Sequence, residues 1–205
     1  MARPLTIGLT GGIAAGKSEA LAAFERLGAA TISSDAIVHQ LLDREPLLGR
    51  LVERWGPEVA PAGRVDRSRV GEIVFADRDQ LSWLESQIHP LVGERIGAWL
   101  ESLPKAARVA VVEVPLLFET EMDGAFDTTV AILASEDVRR GRAAARGQTL
   151  VLEREARQLE QDDKASRADH VIRNDAGIEE LEQELSALLA RLSAGPEPGE
   201  DPLQT

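Results

Sequence analysis

Two kinds of apolar pattern alternate along the first 45 residues. Leu5 to Leu9 is a short apolar run between Pro4 and the Thr10-Gly11-Gly12 turn, which has the length and flanks of a buried strand. Leu21, Phe24 and Leu27 then recur at helical spacing. They predict a helix from Ser18 to Leu27, with Gly28 just past its end. Ala29 to Ile32 predicts a second strand, and Ile37, Val38, Leu41 and Leu42 mark one side of a second helix. Strand, helix, strand, helix implies parallel pairing through right-handed crossovers, and hence an α/β fold.

The pattern changes at residue 46. From there to 105 no strand signal appears. Leu47, Leu48, Leu51, Val52 and Trp55 follow a 3.6-residue period. Gln80 to Ile88 and Leu91 to Leu100 do the same, and Pro90 is expected to start the second of these pieces as a new helix. The stretch 46–105 therefore reads as a helical insert in a single domain, 1–193, whose core is 1–45 and 106–193. Val109 to Val114 is the strongest strand signal, Thr128 to Leu133 another, and Val171-Ile172 a short last one. Glu136 to Lys164 is highly charged and helical in composition. Ile178, Leu181, Leu185, Leu188, Leu189 and Leu192 predict a final helix over 178–192. The proline, glycine and acidic residues of 194–205 lack the apolar content to order themselves, so a disordered tail is expected.

Composition narrows the function. The 205 residues include no cysteine, which excludes disulfides, zinc–thiolate and iron–sulfur sites and thiol nucleophiles. A net charge of −12 argues against a general nucleic-acid or membrane-surface binder. Aromatics are 3% with no tyrosine, too few for base-stacking platforms. No apolar run approaches the ~20 residues of a membrane span, and the N-terminus lacks a signal-peptide pattern. These features are consistent with a cytoplasmic protein that acts on a small molecule, without nucleic acid or membrane, a monomer being the expected state.

The chemistry is carried by Gly11-Gly12-Ile13-Ala14-Ala15-Gly16-Lys17-Ser18, which matches G-x-x-x-x-G-K-[ST] between a predicted strand and a predicted helix. Glycines let successive backbone N–H groups curl round a phosphate, and the helix start adds a positive field. Lys17 brings charge to the β- and γ-phosphates, and Ser18 offers a hydroxyl to Mg²⁺. The pattern predicts nucleoside triphosphate binding but does not name the phosphate acceptor. Asp35 follows the second strand, at the sheet edge where open α/β sheets bind ligands. It could take a proton from an attacking hydroxyl, hold Mg²⁺ through water, or cap the next helix. Glu113, at the end of the valine strand, is a candidate magnesium group or a plain strand-end acid. His89 reads as structural as readily as functional. Arg139, Arg140, Arg142 and Arg146, with Arg154 and Arg157 beyond, are a phosphate clamp or a solvated face paired with Glu153, Glu155 and Glu160. No Asn-Lys-x-Asp segment is present to read guanine, which disfavours a GTPase switch. Size and acidic charge disfavour a helicase. Other nucleoside or nucleotide kinases remain open.

Taken in order, several segments are together specific. They are Ile7 to Ser18, Ser34-Asp35-Ala36-Ile37-Val38-His39, Ile88-His89-Pro90-Leu91-Val92, Pro115-Leu116-Leu117-Phe118-Glu119, Arg142-x-x-x-Arg146 and Ala168 to Asn174. In these the chain resembles the dephospho-coenzyme A kinase family, across about residues 5 to 192. The resemblance implies a P-loop kinase with a parallel five-stranded sheet, a helical substrate-binding insert and an Arg-rich lid at about 136–165. It implies ATP and Mg²⁺ as cofactors and dephospho-CoA as substrate, phosphorylated on its ribose 3′-hydroxyl in the last step of coenzyme A synthesis. Carried over residue by residue, it makes Asp35 the base and Lys17, Arg142 and Arg146 the charges on the transferring group. Gly11 to Ser18 and Asn174 would bind ATP, and Ser18 and Glu113 the metal. Asp35, His89, Pro115, Leu116 and Phe118 would meet the acceptor. The chain departs from the family pattern at Ser33, Glu113 and Arg173, where acidic Asp is usual.

Overall fold

The computed structural model describes residues 3–145 and 159–194. Its strands are β1 (Leu5–Gly11), β2 (Ala30–Ser33), β3 (Val109–Glu113), β4 (Thr128–Leu133) and β5 (His170–Arg173). The α-helices are α1 (Lys17–Arg26), α2 (Ser34–Leu42), α3 (Leu47–Trp55), α4 (Arg67–Ala76), α5 (Arg78–Ser102), α6 (Glu136–Ala145), α7 (Gln161–Arg167) and α8 (Ile178–Ala194). The strands form a parallel sheet in the order β2-β3-β1-β4-β5. Arg146, Arg154, Arg157 and the segment 195–205 lie outside the described residues, and Ala194, expected in the tail, closes α8.

The central strands are buried along nearly their whole length because both faces are covered, the usual state of a parallel sheet. They are mostly apolar, with Thr6, Thr10, Glu113, Thr128 and Thr129 as buried polar exceptions. Ile7, Leu9, Val111, Val130 and Ile132 are fully buried. The helices bring Ala20, Ala23 and Phe24 from α1 and Leu181, Leu185 and Leu188 from α8 into the same core. Parallel register sets Leu9 beside Glu113 and Gly11 beside Ile132, so β1 runs into its loop flanked by the ends of β3 and β4.

By compactness the chain divides into two units, one running to Thr31 and resuming at Ala106, the other Ile32–Lys105. Apart from the last residues of β2, the second unit is helical. Pro90 does not begin a helix there. It lies inside α5, which continues unbroken to Ser102. Leu84, Ile88, Val92 and Ile96 form one buried stripe at four-residue spacing through it, and Pro90 itself is solvent-exposed. A proline within a helix costs about 3 kcal/mol. Here that cost falls on the wet side, where water can satisfy the freed carbonyl, and continuous packing outweighs it.

A polar staple closes the start of β4. Asp127 accepts hydrogen bonds from Arg3 and from both the N–H and the Oγ1 of Thr6. The bonds from Arg3, above all, hold its carboxyl down to about 2, against a usual 3.8. A carboxyl with a depressed folded-state value stabilises the fold above its unfolded value and loses that contribution as pH falls toward the folded one. The melting temperature of the protein should therefore fall between about pH 4 and pH 2 more steeply than that of Asp127→Asn. Superimposable acid limbs in thermal melts of the two would mean the staple contributes nothing.

Candidate active site

β1 ends at Gly11 and α1 begins at Lys17, so residues 12–16, entered through Gly11, link a parallel strand to its crossover helix. Two glycines there are required by shape. Gly16, the N-cap of α1, has φ 102°, and a Cβ on it would lie 2.1 Å from Asn174 Nδ2. At Gly11, φ 153°, a Cβ would lie 2.2 Å from the carbonyl oxygen of Ile132. Ala14 also takes a left-handed conformation, φ 59°. Such alternation curls backbone N–H groups into an anion-binding nest at a helix N-terminus. The Lys17 ammonium is held at this loop, donating to the carbonyl oxygens of Gly11 and Gly12 at 3.0 Å each. Ser18 is exposed. A cradle that no side chain could fill, a fixed cation and an open hydroxyl suit a triphosphate.

Two further segments clasp the loop. From α6, half-buried Arg142 donates to the carbonyl oxygen of Ala15 at 3.2 Å and to Asn174 Oδ1 at 3.3 Å. Asn174, buried just beyond β5, donates from Nδ2 to the same Ala15 oxygen at 2.9 Å. The arginine cluster thus divides. Arg142 reaches the phosphate loop, whereas Arg140 bonds to Glu136 and Asp137 on its own helix. Glu113 is buried at the end of β3. Among the described residues no cluster of three or more His, Asp or Glu forms a ready-made metal site. No described helix is long and apolar enough to cross a membrane.

The other predicted residues are placed as follows. Pro115 and Leu116 are half-buried, while Phe118 is 2% exposed with the Arg167 guanidinium 4.8 Å from its ring centre. His89 is exposed on α5 of the helical unit. Asp35 is exposed in the first turn of α2, and Ser33 is that helix's N-cap. Asp35 therefore is not the cap; it adds a favourable charge at the positive end of the helix dipole.

Sequence reasoning assigned no site role to Gln161 or Lys164. Gln161 binds both backbone groups of Ala134 at the end of β4, accepting at 3.1 Å and donating at 2.9 Å. Its chain lies over Gly12, where a Cβ would meet Gln161 Cγ at 2.9 Å. Lys164 is fully buried and paired with Glu119 at 2.9 Å. Burial lowers its pKa from the usual lysine value, against the opposing effect of Glu119. A lysine amid the charged run 160–167 gives no sign of burial, though its spacing from Gln161 puts both on one helix face.

Comparison with known proteins agrees with this geometry. The family profile described as dephospho-CoA kinase matches residues 5–180. A dephospho-CoA kinase of Symbiobacterium thermophilum is 38% identical over 200 residues, 95% of this chain and 83% of that protein. One from Streptomyces avermitilis is 38% identical over 196 residues, 92% and 94% of the two chains. A crystal structure of a Thermus thermophilus protein superimposes with a TM-score of 0.81 at 34% identity, covering 93% of this chain and 99% of that one. A shikimate kinase from Bacteroides thetaiotaomicron shares the fold, with a TM-score of 0.51 at 17% identity over 91% of this chain and 98% of the other.

Proposed function

The chain belongs to the dephospho-CoA kinase family, and on that premise we propose how its residues divide the work of moving the γ-phosphoryl group of ATP to the ribose 3′-hydroxyl of dephospho-CoA. This reaction is the last step of coenzyme A biosynthesis. The observation that carries the division is the loop Gly11–Gly16, curled at the N-terminus of α1 with Lys17 fixed on it and Arg142 and Asn174 behind it. The 3′-oxygen forms a bond to the γ-phosphorus as the bond from phosphorus to the β–γ bridging oxygen breaks. ADP leaves, and the hydroxyl proton passes to the Asp35 carboxylate. The transition state is loose, with charge spread over phosphoryl oxygens, so the chain acts mainly by positioning and by fixed positive charge.

In this reading the loop N–H groups and Lys17 bind the β- and γ-phosphates, while Arg142 and Arg146 neutralise charge on the transferring group. Asn174 keeps Arg142 and Ala15 in register. Mg²⁺ would be held by the Ser18 hydroxyl and, through water, by Glu113, and would neutralise charge on the phosphate oxygens. The helical insert, with His89, takes the acceptor. Pro115 and Leu116 offer it apolar contact, and Phe118 backs them from the core. A supply of ATP and CoA precursors makes the cytoplasm the compartment where this chemistry serves.

The test offers ATP–Mg²⁺ with dephospho-CoA, CMP, uridine, shikimate or no acceptor, and measures ADP. ADP should appear with dephospho-CoA alone, one for each CoA formed. Equal ADP without acceptor would make the protein a nucleotide hydrolase. Release with CMP or uridine would make it a nucleotide or nucleoside kinase.

A further inference from the structure

Lys164 has no part in the chemistry just described, yet it is the one lysine among the described residues that is wholly buried. Its ammonium donates to the Pro115 carbonyl oxygen at 2.7 Å and pairs with Glu119 Oε1 at 2.9 Å. The Pro115 oxygen also accepts from Thr10 Oγ1 at 3.3 Å, and Thr10 is the residue before Gly11. Glu119 Oε1 further accepts from the Leu159 backbone N–H at 2.8 Å, just ahead of α7. So one ammonium ties α7 to the segment after β3 and, through it, to the strand that enters the phosphate loop.

The same helix reaches the loop a second way. Gln161 lies one turn ahead of Lys164, on the same face. Its amide locks onto Ala134 and its chain rests against Gly12. Anchoring Lys164 therefore fixes the height at which Gln161 meets the loop.

Stability alone does not account for such an arrangement. A buried ion pair is often no better than apolar residues of the same size. This one also leaves Glu119 Oε2 buried without a hydrogen bond among the described residues. What the pair does supply is direction. It makes polar bonds at set angles to a carbonyl and an N–H on two different segments, which an apolar contact cannot.

We propose that Lys164 and Glu119, acting through Gln161 on Gly12 and through Pro115 on Thr10, are positioning residues that set the phosphate loop for ATP. The proposal rests on the reading of Gly11–Ser18 as that loop. A displacement of about 1 Å at reacting groups can cost as much as a hundredfold in rate, so a loop released at one side should be visible in kinetics.

The experiment compares the wild-type protein with Lys164→Met, with the double variant Lys164→Met/Glu119→Gln, and with Gln161→Ala. Lys164→Met alone leaves a buried charge unpaired and should melt well below the wild type. The double variant removes both charges and should recover most of that loss. If the pair positions the loop, the double variant still shows an ATP KM raised about tenfold and a lower kcat, while the KM for dephospho-CoA stays within about twofold. Gln161→Ala, which leaves the ion pair intact, should raise the ATP KM in the same way, with melting lowered only by the loss of its two bonds to Ala134 and by less than in Lys164→Met. Wild-type kinetics in both would overturn the proposal and leave the pair purely structural. Should the double variant fail to fold, Gln161→Ala alone decides by the same criterion. A wild-type protein that bound no ATP in calorimetry would instead sink the phosphate-loop reading, a separate outcome.

Discussion

Lys17→Ala is expected to lower turnover on the order of a thousandfold or more, the scale on which fixed cations act in phosphoryl transfer. Lys17 is the only cation within the loop sequence Gly11–Ser18. Its ammonium bonds to carbonyl oxygens of Gly11 and Gly12, so the charge is held at the site. Alanine removes that charge and those two bonds together. The backbone should keep its curl, because Gly16, Asn174 and Arg142 hold it from the other side. Loss should therefore appear in kcat, with a melting temperature lowered by no more than a few degrees. Lys17→Arg should not restore activity, since a planar fork cannot sit where a compact ammonium does. Near-normal turnover in Lys17→Ala would remove the phosphate-loop assignment and with it the division of roles proposed above.

What could be read from the sequence follows the range of the interaction that fixes each feature. β1, β3 and β4 were legible because strands buried on both faces carry apolar runs, here Leu5 to Leu9, Val109 to Val112 and Val130 to Leu133, that few other elements show. The phosphate loop was legible because its shape admits glycine and little else at 11 and 16. The predicted ends of α1, β2 and α8 differ from the observed ones by one or two residues, as element ends do. Pro90 misled because a local rule was applied where a buried stripe of Leu84, Ile88, Val92 and Ile96 decides the matter. Aspartate caps helices well, which makes Asp35 a natural cap on sequence grounds, but β2 runs to Ser33 and the helix starts two residues sooner than a cap at 35 requires.

The partners of side chains from distant segments were not legible at all. Composition and spacing in the charged run after Glu136 do not distinguish Arg142, which reaches Ala15 and Asn174, from Arg140, which bonds to its own helix; only the family resemblance singled out Arg142. Nor does composition tell that Lys164 is buried while its neighbours Asp162 and Asp163 are exposed. Both facts follow from which face of a short polar helix meets the sheet. That choice is made by residues far away in sequence, through contacts that leave no periodicity behind.

Asp35→Asn should lower turnover about a hundredfold or more, the usual contribution of a positioned general base. The ribose hydroxyl has a pKa far above neutral, so its proton needs an acceptor within hydrogen-bond reach as the oxygen attacks phosphorus. With a loose transition state the acceptor chiefly aims the nucleophile and takes the proton late. Asp35 is suited to this. It is solvent-exposed, directly after β2, in the first turn of α2, and no other carboxylate lies in that turn. Asparagine keeps the shape and can still orient a hydroxyl, but it cannot accept the proton. Because Ser33 and not Asp35 caps α2, the substitution removes only a favourable helix-dipole charge, worth about 0.3–1 kcal/mol. The melting temperature should barely move while kcat collapses and the KM for ATP is retained. A variant that melts well below the wild type yet turns over normally would make Asp35 a structural residue of α2. Turnover restored by raising Mg²⁺ would assign it to the metal, and the proton would then have to leave by another route.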